Sequence, residues 1–252
     1  MKKRLQPHIM CGIGDVAKYV LLSGDPNRIE RIAGFFDKSL KVGDYRGFVT
    51  YSGRYRNIGV SASSTGIGCA SAAIALEELA RLGAETFIRV GTTGSLQRDI
   101  NVGDLVIATG AARDEGPTSY VPAGYPSIAD FKVTSALTEA ARDSKKKIHL
   151  GLVLTTDAFY GEEENLRRWS KLNILSVEME CSTIFALAGL KKLRAGAILA
   201  VDSKPLMGLQ KGEFEPGQKT GELNDSVQRA IDEEIRISLE AVKILEDRHK
   251  KE

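Results

Sequence analysis

The sequence predicts a layered α/β protein built on a buried sheet. Three observations carry that expectation. Strand-like and helix-like segments alternate along most of the 252 residues. No linker or shift of composition divides them, so residues 1–252 are expected to form one domain. Hydrophobic residues at 42% and charged residues at 27% are ordinary for a soluble globular protein and exclude a disordered one.

The elements follow in order. KYVLLSG (18–24) is a short β-rich run ending at Gly, and GRYRNIGVSASS (53–64) is a second extended candidate. SAAIALEELARLG (71–83) is rich in Ala, Leu and Glu and reads as a helix stopped by Gly83. TFIRVG (86–91) and DLVIATGAA (104–112) are apolar strands. FKVTSALTEAARDSKKK (131–147) reads as a helix, HLGLVLTTDA (149–158) as a strand, CSTIFALAGLKKL (181–193) as a helix and RAGAILAVDS (194–203) as a last buried strand. From Asp225 onward, Val227, Ile231, Ile235, Leu239, Val242 and Leu245 recur at helical spacing, an amphipathic terminal helix with DRHKKE as its charged end.

Charge and composition exclude several classes. The 35 Lys and Arg nearly balance the 33 Asp and Glu, giving a net charge of +2, so no nucleic-acid or membrane partner is expected. No apolar run reaches the ~20 residues of a membrane span. MKKRLQPHIM is basic but lacks the apolar stretch of a signal peptide. Cys11, Cys69 and Cys181 are scattered and odd in number, which fits a reduced, cytoplasmic setting. With only His8, His149 and His249, widely separated in the chain, a His-based zinc site or a serine-protease triad is not expected. The basic runs 145–147 and 191–194 sit at element ends and read as solvated faces.

Several segments can carry chemistry, each with a plainer alternative. Gly66-Ile67-Gly68 is either a dinucleotide-binding turn or a tight strand-to-helix turn. The third glycine of the fingerprint falls on Ser71 and the next strand carries Arg89 instead of an acid, which favours the tight turn. Gly24-Asp25-Pro26-Asn27-Arg28 is good turn chemistry, yet a Gly past a strand end with an Arg four residues on also suits an anion. Arg89 lies in a strand that should be buried, so it needs an anionic partner: a structural carboxylate, or an anion seated on the Gly91-Thr92-Thr93-Gly94 turn. Glu178 and Glu180 flank Met179 and share one side if extended. They are either acceptors for sugar hydroxyls or acids at a helix N-terminus. Asp202 ends an apolar strand, where open α/β sheets place functional groups, and its alternative is a turn or cap.

Taken together, the segments resemble the hexameric nucleoside phosphorylase family, which includes uridine phosphorylases and bacterial-type purine nucleoside phosphorylases. The motifs are GDPNR (24–28), YRGF (45–48), STGIG (64–68), FIRVGTTGSLQ (87–97), NVGDLVIATGA (101–111), YPSIADF (125–131), TDAFYG (156–161), VEMECST (177–183) and AILAVDS (197–203), in that order. The resemblance implies a three-layer αβα fold with a central twisted mixed sheet, and a hexamer assembled as a trimer of dimers. It implies reversible phosphorolysis of a ribonucleoside to free base and ribose 1-phosphate, with inorganic phosphate as co-substrate and neither cofactor nor metal.

It also implies site roles. Gly24, Arg28, Arg89 and Thr92 hold phosphate, with Arg46 from the neighbouring subunit. Thr93 and Met179 line the ribose, Glu180 accepts its 2′- and 3′-hydroxyls, and the neighbour's copy of His8 holds the 5′-hydroxyl. Phe159 packs on the base. Asp202 contacts the base and acts as general acid at a purine N7, a role that needs burial to raise a carboxyl from its reference near ~3.9.

Three departures shape the choice of base. Where uridine phosphorylases place a Gln and an Arg that read uracil, this chain has GEEENLRR (161–168), with Arg167 or Arg168 as replacements only if the loop is rearranged. Asp202-Ser203 followed by Pro205 is similar to the protozoan purine enzymes of the family. Gly47 stands where some uridine phosphorylases carry the Glu of a monovalent-cation site. A purine nucleoside such as inosine or guanosine is therefore the expected substrate, with uridine as the alternative. A hydrolytic nucleosidase and a non-catalytic nucleoside-binding protein are the remaining rivals.

Overall fold

Alternate residues of the first strand, β1 (Tyr19–Ser23), point into two different cores: Val20 and Leu22 into one, Tyr19 and Leu21 into the other. That split is the period-two pattern of a strand buried on both faces. The computed structural model describes residues 4–161, 163–209 and 225–251. The first three residues of the basic start, Glu162 of the 161–168 segment and Glu252 at the charged end lie outside the described residues.

After β1 come helix α1 (Pro26–Ala33), strands β2 (Lys38–Tyr45), β3 (Phe48–Tyr55) and β4 (Ile58–Ser64), and helix α2 (Cys69–Arg81). Strands β5 (Thr86–Ser95) and β6 (Leu105–Asp114), helix α3 (Phe131–Ala140) and strand β7 (Ile148–Thr156) follow. The chain continues through α4 (Glu163–Lys171), β8 (Ser176–Glu178), α5 (Cys181–Leu190) and β9 (Arg194–Ser203), and α6 (Asp225–His249) lies beyond.

The strands form one mixed sheet in the order β2-β3-β4-β1-β5-β8-β7-β6-β9. Strand β5 also pairs with β9, so β5, β9, β6, β7 and β8 pair in a closed cycle. Helices α2 and α5 cover one face, through Leu76, Leu79, Ile184 and Phe185. Helices α1, α3 and α6 cover the other, through Ile29, Ile32, Val133, Leu137, Ile231 and Leu239. This is the three-layer αβα arrangement with a central mixed sheet that the family resemblance implies. No helix among the described residues is long and apolar enough to cross a membrane.

Most expected elements lie where the sequence puts them; among the differences, β2 is a strand the sequence does not suggest, and β5 runs on through 91–94, read from the sequence as a turn. Residues 53–64 are two strands, folded back at Arg56 (φ 48°) and Asn57 (φ 66°). Two consecutive positive φ values make the two-residue turn whose twist suits a hairpin. Residues 26–33 are a helix, because the Asp25 side chain caps the N–H of Asn27 and Pro26 occupies the first turn. The segment containing residues 163–171 is also a helix, α4, so Arg167 pairs with Glu163 one turn back. The α3 helix ends at Ala140, short of the basic run 145–147.

Candidate active site

Strands β1, β5 and β9 run parallel, so their C-terminal ends open on the same side of the sheet. Functional groups of open α/β sheets gather at such ends. Gly24 follows β1 directly, and a Cβ there would meet the carbonyl oxygen of Gly66 at 3.2 Å, so two loops approach closely at this point. Gly66 (φ 67°) and Gly68 (φ 91°) turn the chain from β4 into α2, the tight strand-to-helix turn. In the β5–β9 ladder, Thr93 faces Val201 and Gly94 faces Ser203, so Asp202 is the extra residue of a β-bulge. Bulges re-aim side chains next to functional sites. Asp202 is partly buried and accepts from Ser203 Oγ at 2.9 Å.

Arg89 is buried, and its side chain runs along β5 over Gly91, where a Cβ would stand 2.9 Å from Cζ. Its Nε donates to Glu178 Oε2 at 3.0 Å and its Nη2 pairs with Glu180 Oε2. Both acids named in the sequence therefore converge on the one arginine. Burial pulls the guanidinium pKa down, but Glu180 and Glu178 outweigh it, so the net shift is upward and Arg89 stays charged. The third nitrogen, Nη1, is a buried donor with no hydrogen-bond partner among the described residues. A buried donor left unpaired costs roughly 1–3 kcal/mol, so the position suits an incoming acceptor.

Glu178 and Glu180 divide their work. Glu178 takes the backbone N–H groups of Glu180 and Cys181, both at 2.9 Å, and the Thr155 hydroxyl. It thus serves the N-terminus of α5 as well as Arg89, the plainer role expected for an acid there. Glu180 Oε1 accepts from Gly68 N–H at 2.6 Å, which ties α5 to the turn before α2. The Cys69 thiol donates to the Met179 carbonyl oxygen at 3.2 Å. Burial pushes the Cys69 thiol up to about 12, so it stays protonated and packs as a small apolar group.

The remaining candidates are spread around this centre. Thr93 Oγ1 donates to the Val177 carbonyl at 2.8 Å, while Thr92, on the opposite face of β5, is partly exposed. Phe159 stands half-exposed on the turn after β7, edge-on to Tyr160 at 4.9 Å between centroids. His8 is bound within its own chain: Nδ1 lies 2.6 Å from Glu78 Oε1, and Glu78 Oε2 accepts the His8 and Ile9 N–H groups at 3.0 and 2.9 Å. Burial alone would raise the Glu78 carboxyl, but these bonds outweigh it and hold it below its ordinary value. Arg46 (φ 53°) and Gly47 (φ 83°) form the exposed tip of the β2–β3 hairpin, with Arg46 over the Tyr45 ring. The positive φ explains glycine at residue 47 without reference to a cation site.

Two buried acids escaped the sequence reading. Glu78 on α2 organises the His8 segment, and its signal was an acid beside Ala75 and Leu79 on a buried face. Glu234 on α6 is wholly buried, and its Oε1 lies 3.6 Å from Arg28 Nη1. Its signal was its place between Ile231 and Ser238 on the inward face of the terminal helix.

The architecture is that of a three-layer αβα protein with a charged cluster of Arg89, Glu178 and Glu180 buried in it. The profile of the phosphorylase superfamily matches residues 18–242. A guanosine phosphorylase of Halorubrum lacusprofundi is 44% identical over 242 residues, covering 95% of this chain and 99% of that one. A uridine phosphorylase of Thermococcus kodakarensis is 42% identical over 215 residues, 78% of this chain and 76% of that one. A solved purine nucleoside phosphorylase of Toxoplasma gondii matches with a TM-score of 0.88 at 29% identity, over 98% of this chain and 99% of that one. The chain belongs to the nucleoside phosphorylases of this superfamily, which are pentosyltransferases.

Proposed function

We propose that this nucleoside phosphorylase cleaves 6-oxopurine nucleosides such as inosine and guanosine in preference to uridine. The observation that carries the phosphorolytic reading is the unused Nη1 donor of buried Arg89, held in place by Glu178 and Glu180. Phosphate is seated by Arg89, Arg28, Gly24 and Thr92, completed by Arg46 of a neighbouring copy. Held there, it attacks the anomeric carbon as the bond from that carbon to the base nitrogen breaks. Its negative charge stabilises the oxocarbenium-like sugar, and the products are ribose 1-phosphate and free base. Glu180 takes the 2′- and 3′-hydroxyls, Thr93 and Met179 line the sugar, and His8 from the neighbour takes the 5′-hydroxyl. Phe159 packs on the base. Asp202, aimed by its bulge, gives a proton to the purine N7, so the leaving base departs neutral. No cofactor enters the reaction.

The purine preference rests on Asp202, and the folding of 163–171 as a helix, with Arg167 beside Glu163 one turn back, supports it over a loop rearranged to read uracil. The guanosine phosphorylase similarity points the same way. The chain acts as one domain in a hexamer assembled as a trimer of dimers, and its three buried free thiols support a cytoplasmic setting. Base release from inosine and from uridine, each with and without phosphate, tests the reading. Phosphate-dependent release, faster from inosine, is expected. Equal or faster turnover of uridine overturns the purine preference, and undiminished release without phosphate makes the protein a hydrolase.

A further inference from the structure

Glu234 is out of place by ordinary burial rules. Its side chain has no exposure, although it sits on the face of α6 that packs into the apolar core. An isolated carboxylate there is expensive. It pairs with Arg28, whose side chain is itself nine-tenths buried on α1, with Nη1 3.6 Å from Oε1.

Among the described residues, the charged groups that act on it most strongly come from three elements. Arg28 comes from α1, Arg89 from β5 and Asp202 from β9, with the Ala200 backbone N–H also of β9. Helix α3 turns Val133, Ala136 and Leu137 into the same core. Burial raises the Glu234 carboxyl and Asp202 adds to it, while Arg28, the Ala200 N–H and Arg89 pull it down; the balance leaves it pushed up to about 8. Near neutral pH it is mostly protonated, and Arg28 keeps its charge unspent.

We propose that Glu234 is a positioning residue that couples phosphate binding to proton uptake: ionised, its carboxylate holds Arg28 in place of an anion, and protonated, it yields Arg28 to phosphate. This rests on the reading of Arg28 and Arg89 as the phosphate site. Wherever Glu234 starts ionised, one proton is drawn from solvent per phosphate bound, and no bond to phosphorus changes. The coupling also explains why an acid is tolerated in this core. Buried Arg28 has a partner at high pH when phosphate is absent, and a neutral one when phosphate arrives.

The test is the pH profile of the phosphate KM, from pH 6 to 10, in the wild-type enzyme and Glu234→Gln. Both proteins meet the same phosphate, so the ligand's own ionisation cancels between them. In the wild type the KM should climb relative to Glu234→Gln above about pH 8, approaching tenfold per pH unit for one linked proton. Parallel profiles overturn the proposal while leaving the phosphate site intact. Turnover that needs no phosphate removes the site and the proposal together. Calorimetric titration of wild-type protein with inorganic phosphate at pH 8.5, in buffers of different ionisation enthalpy, needs no variant. Net proton uptake is expected, and none overturns the coupling.

Discussion

Arg89 donates from Nε to Glu178 at 3.0 Å, and the same carboxylate takes the first N–H groups of α5, so one buried acid both orients the arginine and starts the helix. Glu178→Ala would leave the Arg89 Nε and two backbone donors without their acceptor at once, with Glu180 as the acid still on Arg89. Removing one partner of a buried pair costs about 3–5 kcal/mol, and a loss of that size is expected in urea unfolding. Glu178→Gln keeps an acceptor and should lose less. A Glu178→Ala protein within about 1 kcal/mol of wild type would deny the pair its structural weight.

Arg89 works through three separate nitrogens, two on acids and one unused. Lysine keeps the charge but cannot make that fork. Arg89→Lys should therefore raise the phosphate KM by at least about tenfold, with a smaller effect on the nucleoside KM. Steady-state kinetics with each substrate varied in turn separates the two. An equal rise in both would mean that Arg89 supports the site as a whole and does not hold phosphate.

Asp202 owes its direction to the bulge between Thr93 and Gly94. If it protonates a purine at N7, Asp202→Asn should depress inosine cleavage by roughly 100-fold or more, the usual worth of general acid catalysis. Uridine has no N7, and its slower cleavage should fall far less. Matched kcat/KM measurements on both nucleosides decide it: an equal loss takes the purine-specific role away from Asp202.

How much of this was legible in the sequence depended on contrast between a residue and its neighbours. Strand β9 coincides with RAGAILAVDS because an apolar run closed by polar residues admits few boundaries. Strand β2 was missed because KSLKVGDY is mostly exposed at the sheet edge and carries no apolar period. Helix α4 was missed for the same reason, since EENLRRWSK buries none of its residues. Arg89, Glu178 and Glu180 stood out as charges inside apolar runs, and the structure joins them. The Arg28–Glu234 pair joins residues 206 positions apart, and Glu234 follows another acid on a helix that is rightly expected to be charged on one side.

Glu234 also gives stability a distinctive pH dependence. The unfolded chain ionises it near its ordinary value of 4.5, while the folded, phosphate-free protein keeps the proton to about 8. Between those values the unfolded state binds fewer protons, so this residue's contribution falls as pH rises and levels off above 8. The stability of Glu234→Gln relative to wild type should therefore increase by a few kcal/mol between pH 5 and pH 8. Urea titrations at three pH values measure it. A constant difference would show that Glu234 ionises in the core as easily as in water.

Arg46 provides the test of shared sites. It stands exposed at a hairpin tip, on a backbone fixed by two positive φ values and tied down where the Ser64 hydroxyl donates to the Gly47 carbonyl at 2.8 Å. If that tip completes the phosphate site of a neighbouring copy, Arg46→Ala and Arg89→Ala should each be nearly inactive alone. In a two-fold pair of one variant with the other, the Arg46→Ala chain keeps its own Arg89 and receives an intact Arg46 from its partner. One of the two sites is then complete. Random co-assembly makes half of the pairs hybrid, so co-refolding should restore roughly a quarter of the wild-type sites. Arg46 serving its own chain gives no restoration, because every site would still lack one arginine.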